Sequence, residues 1–333
     1  MRPRNYSMDF MRFIFALGIA SLHACGALTC GDYLKNAHVI VECFFIMSGF
    51  FLFRTLCQHP HDDFASFVRK KVARLWPVLL FVVFVLFLSG RLSFTRFFLD
   101  SLFLQCVGFI GEYKGIHWFV SPLFWSLLFY FGLARAIRDE RKRYLLVAVI
   151  VYWAYVLVLR GGEGAFGRGF THGLVSRAFM RGIAGVGLGY LLGALCGIWR
   201  CSSRFWATVA ELFFFAVLFV NLFYVPLACS TQFVVVVSFA ALLVLLDSGC
   251  GLLSKALGWR FFGPLGRYSY SIYMVQPLSL LIFDVLRSRN LFVSQPVGFM
   301  AVELVVFIVL SGFALYHLVE RPGAKLLESR EGT

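Results

Sequence analysis

The sequence predicts an all-α polytopic membrane protein, a bundle of about ten transmembrane helices with both termini cytoplasmic. Three observations carry that expectation. Of the 333 residues, 60% are hydrophobic and only 14% are charged, with 40 Phe and a mean hydropathy of +0.81. A soluble domain carries roughly a quarter charged residues, and a disordered chain is far less apolar. The apolar residues also gather into separate runs, most of them near the roughly 20 residues that cross a bilayer as a helix. Finally, Lys and Arg concentrate in short stretches between alternate runs, the bias that orients membrane helices. The net charge of +14 therefore reads as topology and contact with anionic headgroups of the lipid bilayer, with no nucleic acid expected as a partner.

The predicted spans fall near 10–28, 36–53, 75–90, 117–134, 144–159, 179–199, 205–225, 233–247, 268–286 and 297–318. The first run, preceded by MRPRNYSMDFMR, reads as a retained helix: further hydrophobic runs follow it and no small-residue cleavage site ends it. The stretch 97–111 (FFLDSLFLQCVGFIG) is apolar but short and carries Asp100 and Gln105, so it reads as interfacial or re-entrant. With ten spans, 21 Lys and Arg lie inside and 10 outside. An eleventh span would move the dense RAIRDERKR loop outside, against the positive-inside rule. Residues 1–333 thus form one integral-membrane domain. Gly185, Gly189, Gly193 and Gly197 recur every four residues in the sixth span, a stripe suited to close helix approach or to a smooth wall beside a lipid-like substrate. The nine Cys show no CxxC and no Cys/His metal spacing, so no metal is expected; Cys25 and Cys30 are the one pair spaced for a bridge.

Ionisable groups inside apolar spans usually face a cavity or a partner. The first span holds Arg12 and His23. Eleven residues at about 100° each complete almost whole turns and rise about 16 Å, so both side chains share one face. A membrane-anchoring arginine and a hydrogen-bonded core histidine would satisfy the same pattern, and Asp9, three residues before Arg12, could pair with it. In the second span Glu42 could orient a first-helix side chain, join a proton path or be only structural, and Ser48 and Gly49 suit close helix contact or substrate binding. Tyr268, Tyr270 and Tyr273 sit where an interfacial aromatic belt is expected. Arg181 could anchor at the interface or contact an anionic acceptor at the outer side. Glu211, Asn221 and Glu303 suggest no role.

Five patterns follow one another along the chain: MDFMRFIFALGIASLHA, VECFFIMSGFFLFR, FVRKKVARLWP, RYSYSIYMVQPL and YHLVERP. As an ordered set they resemble the membrane acyltransferase-3 family, which moves acetyl or other short acyl groups onto sugars of surface glycans. MDFMRFIFALGIASLHA resembles its opening of Asp, then Arg, ten residues and His. VECFFIMSGFFLFR is similar to its second-helix pattern, with Glu42, Phe44, Phe45, Ser48 and Gly49. FVRKKVARLWP resembles its basic stretch, through Lys71, Arg74 and Pro77; RYSYSIYMVQPL its Tyr-Ser-x-Tyr segment; and YHLVERP its close at Glu320, Arg321 and Pro322. Departures are Gln276 and Leu123, where the family often has His and Glu, and Lys71, which keeps the charge of a usual Arg without its fork.

The resemblance implies a multi-pass O-acyltransferase of the inner (cytoplasmic) membrane. It takes acyl-CoA as co-substrate, has no bound cofactor, and acts on a glycan or lipid-linked sugar acceptor. Arg12, Lys71 and Arg74 are implied to hold coenzyme A phosphates, and His23 to act as general base or acyl carrier. Asp9, Glu42, Ser48, Gly49 and Tyr273 are implied to support them. A glycolipid transporter or flippase would also place polar residues inside a bundle, although broken helices and paired half-repeats are not evident. The departures at Gln276 and Leu123 leave a non-catalytic scaffold as a third reading.

Overall fold

Local signals in the sequence set the helix boundaries. The computed structural model describes residues 6–29, 34, 36–106, 115–160, 166, 170–171, 175–198, 203–225, 228–289 and 296–328. Helix α1 spans Tyr6–Leu28, and α2, Ile40–Gln58, is entered through a 3-10 turn at Ala37–Val39. Asp63 caps α3, Phe64–Leu88, by accepting the Ser66 amide at 2.9 Å. Ser93 caps the short α4, Phe94–Ser101, and the 3-10 stretch Ile116–Phe119 leads into α5, Val120–Ala136. Asp139 opens α6, Glu140–Leu159, by accepting two backbone amides. A two-residue antiparallel pair, β1 (Phe170–Thr171) with β2 (Val175–Ser176), sets Phe170 opposite Ser176 and precedes α7, Arg177–Ile198.

Ser203 caps α8, Arg204–Phe223. Helix α9, Cys229–Ser248, stops at Gly249, whose φ of 69° needs the left-handed region that glycine enters without penalty. Helix α10, Leu252–Leu257, and a 3-10 stretch Gly263–Tyr268 lead to α11, Ser269–Ser288. Helix α12, Val297–Leu315, continues through a wide π turn, Tyr316–Glu320, into α13, Arg321–Glu328.

Ten helical stretches among the described residues are long and apolar enough to cross a membrane, as the hydropathy pattern predicts. The third is longer than expected: it begins at Phe64 instead of 75, because its first turns carry Arg69, Lys70, Lys71 and Arg74 and are invisible to a hydropathy window. The eight residues of α4 rise only about 12 Å, too little to cross a bilayer. Residues 107–111 of the apolar stretch 97–111 and Cys30 of the proposed bridge lie outside the described residues.

Helices α2, α5, α7 and α11 bury more than half of their apolar length, whereas α6, α8 and α12 bury less than a third and form the outer shell. The tightest seam joins α2 to α7. A Cβ at Gly49 would overlap the Val186 carbonyl, and one at Gly189 the Ile46 carbonyl. The glycine register is therefore a helix contact, as the small-residue rule expects where backbones approach. Gly185 and Gly193 extend it against Phe45 and Phe53, while Gly197 faces open space and lies beyond it.

Candidate functional site

A cavity of about 300 Å³ opens between α1, α2, α3, α5 and α11. Residues spaced i, i+3 share a helix face, so α1 presents Asp9 with Arg12, and α3 presents Lys71 with Arg74, to the same space. Arg267 and Ser48 add to this polar end. Gly266 brings Arg267 there by lying so close to the Asp9 backbone that a Cβ would overlap it. Aromatic faces hold three of the cations: Arg12 lies over Phe51 at 5.9 Å, Lys71 over Phe67 at 5.0 Å and Arg267 over Tyr268 at 5.9 Å. Arg12 and Lys71 are half-buried, and Arg74 and Arg267 are exposed. The throat is apolar, walled by Phe44, Phe51, Leu75, Phe119, Leu123 and Leu127.

Tyr270 and Tyr273 complete the wall. The Tyr270 hydroxyl donates to the Leu75 carbonyl at 2.7 Å, and that of Tyr273 to the Ile116 carbonyl at 2.8 Å. The 3-10 stretch carrying Ile116 is itself held by His117, whose Nε2 lies 3.0 Å from a carboxylate oxygen of Asp100 on α4, both side chains buried. Tyr270 and Tyr273 are therefore buried cavity groups and not the interfacial belt expected of them, because both rings pack inward and their hydroxyls are satisfied by protein carbonyls.

Of the residues singled out from sequence, Asp9, Arg12, Ser48, Lys71, Arg74 and Tyr273 share this cavity. Glu42, Gly49 and His23 are placed elsewhere. Glu42 meets Arg181 on α7, with Nε to Oε1 at 2.5 Å and both side chains buried. The partner of Glu42 is thus on α7 and not on the first helix, as its structural reading expects, and Arg181, buried in this pair, is not an interfacial anchor. Arg181 also donates to the Phe166 carbonyl and lies over Trp118 at 4.7 Å. Gly49 belongs to the α2–α7 seam.

His23 is half-buried, and its Nδ1 donates to the side-chain oxygen of Gln276, a fully buried residue of α11. Arg12 lines the cavity beside Ser269 and Tyr270 of α11, so the face shared by Arg12 and His23 is the one turned toward that helix. Gln276 follows Tyr273 by three residues, about 4.5 Å further along α11. The cavity has a cationic mouth and an apolar throat; the imidazole of His23 lies outside its lining, against Gln276, one helical turn along α11 from Tyr273. The cavity suits a ligand that is anionic at one end and apolar along its body.

Arg267 is a cavity residue that no sequence pattern singles out. Its one local signal is its place between Gly266 and the Tyr-Ser-x-Tyr segment. Leu123, read as a departure from the family pattern, is a cavity wall residue.

No curated protein and no solved structure matches the chain. The acyltransferase-3 family model, described as an acyltransferase domain, matches residues 5–317. That match takes in the cationic mouth, the throat and the His23–Gln276 contact together. With ten membrane-length helices among the described residues, the chain belongs to the acyltransferase-3 family and is a multi-pass membrane acyltransferase.

Proposed function

We propose that this acyltransferase moves an acetyl or other short acyl group from acyl-CoA to a hydroxyl of a glycan or lipid-linked sugar, in the inner (cytoplasmic) membrane. The observation that carries the reading is the gathering of Arg12, Lys71 and Arg74 at the mouth of one apolar cavity. Charge-assisted contacts of Arg and Lys suit the phosphates of coenzyme A. The throat suits its uncharged arm, and the roughly 16 Å of helix rise between Arg12 and His23 suits the separation between the phosphates and the thioester.

In this mechanism His23 is the general base. Donation from Nδ1 to Gln276 leaves Nε2 as the basic ring nitrogen. Nε2 takes the proton of the acceptor hydroxyl as its oxygen attacks the thioester carbonyl carbon. The carbon–sulfur bond then breaks, the ester forms, and the proton passes to the departing coenzyme A sulfur. Asp9, Ser48 and Tyr273 shape the cavity around the donor, while Glu42 and Gly49 act at a distance by holding α2 against α7.

Purified protein in proteoliposomes, given radiolabelled acetyl-CoA and a lipid-linked sugar, should yield acetylated sugar. Mass spectrometry of the surface glycan with and without the protein identifies the acceptor. Transport of the glycolipid with no transfer of label would overturn the reading.

At the mouth, Arg74→Ala is expected to weaken acyl-CoA binding by about 1.5–3 kcal/mol, the range of a hydrogen bond to a charged group. Arg74→Lys should recover only part of it, since a point charge replaces a fork. Titration of acyl-CoA into the purified variants checks both.

The donor is cytoplasmic in this scheme, which sets the orientation. Cysteines introduced at 54–74 and 135–143 should react with impermeant reagents only from the cytoplasmic side, and those at 160–177 only from outside. Outside labelling of 135–143 would reverse the assignment of the mouth to the cytoplasm.

A further inference from the structure

We infer that Gln276 is the positioning residue of the catalytic imidazole, selecting the ring tautomer in which His23 presents Nε2 as the base. The inference rests on the reading of His23 as general base given above. A neutral imidazole has one donor nitrogen and one acceptor nitrogen, and the partner of one decides the role of the other. A carbonyl oxygen only accepts. Oε1 of Gln276 against Nδ1 therefore requires the proton on Nδ1 and puts the lone pair on Nε2.

The surroundings of Gln276 make it a fixed reference. Its side chain is completely buried, and α11 is held at several points along its first turns. Tyr270 binds the Leu75 carbonyl, Tyr273 binds the Ile116 carbonyl, and Ser271 donates to Glu320 at 2.5 Å. Pro277 follows directly and supplies no backbone N–H. The other end of the amide, Nε2, has no hydrogen-bond partner among the described residues. The carboxamide oxygen is thus committed to His23, and the packing of α11 fixes where it lies.

The test combines kinetics with a direct view of the ring. In purified protein, Gln276→Leu should lower kcat by about 10²-fold or more, within the range that positioned general bases supply. Its KM for acetyl-CoA should change less than about twofold, because the cations that hold the donor are on other helices. Gln276→Glu keeps an accepting oxygen at the same place and should restore most of the rate. Solid-state ¹⁵N spectra of histidine-labelled wild-type protein, with the His23 signals assigned by their loss in His23→Ala, should show a protonated Nδ1 and an unprotonated Nε2.

An Nε2-protonated ring in the wild type would overturn the inference, and so would an unchanged kcat in Gln276→Leu. Parallel loss of kcat and donor affinity without rescue by Glu would also overturn it. The two levels separate cleanly. Activity in His23→Ala removes the general-base reading itself, whereas an inactive His23→Ala beside a fully active Gln276→Leu removes only the role of Gln276.

Discussion

Replacing His23 by Ala should abolish acyl transfer while leaving the protein inserted and able to bind acyl-CoA. The separation follows from geometry: the cations that line the cavity are Arg12, Lys71, Arg74 and Arg267, and His23 lies beyond the cavity lining, against Gln276. Loss of a positioned base alone removes about 10²- to 10⁴-fold of rate. His23→Gln should fail as well, because an amide hydrogen-bonds but takes up no proton. Transfer of label from radiolabelled acyl-CoA, measured beside binding of the same ligand, separates chemistry from recognition. Wild-type transfer in His23→Ala membranes would eliminate the mechanism.

The largest expected effect on stability belongs to Arg181. Its guanidinium and the Glu42 carboxylate are only 2% and 0% exposed, so Arg181→Ala leaves a carboxylate buried without its countercharge. Breaking a buried pair in this way destabilises by about 3–5 kcal/mol. The variant also loses the bond to the Phe166 carbonyl and the face of Trp118. Fluorescence-detected size-exclusion chromatography after heating should show the loss. The double variant Arg181→Met with Glu42→Met should regain part of it, since no orphan charge remains. An Arg181→Ala protein with wild-type thermal tolerance would mean that the ion pair contributes nothing to holding α2 and α7 together.

The ten spans were legible because apolar run length is a local property that the bilayer dictates. The start of α3 was not, because its cationic first turns look like a loop to any average over hydropathy. Arg12, Lys71, Arg74 and Asp9 could be singled out from spacing within single helices and from motif order. Their convergence on one cavity could not, since it depends on how α1 and α3 sit around α11. Pairings that cross the fold leave no trace at short range. Glu42 finds Arg181 across 139 positions and His23 finds Gln276 across 253. The tyrosines of α11 show the same limit. An aromatic ring with a polar tip fits an interface and a buried wall equally well, and only tertiary contacts decide between them.

The π turn at Tyr316–Glu320 gives the C-terminal segment a phase of its own. Such a turn is a helix carrying a surplus residue, and each residue is about 100° of rotation. Helix α12 therefore turns one set of side chains to the outer shell, while Glu320, just beyond, points inward to Ser271, and Gly323 lies against Pro77 of α3. Deleting a single residue between Leu315 and Arg321 would return the stretch to one continuous phase. It would swing the carboxylate and all of α13 by about 100°, away from both contacts. For this segment the number of residues is a stricter constraint than their identity.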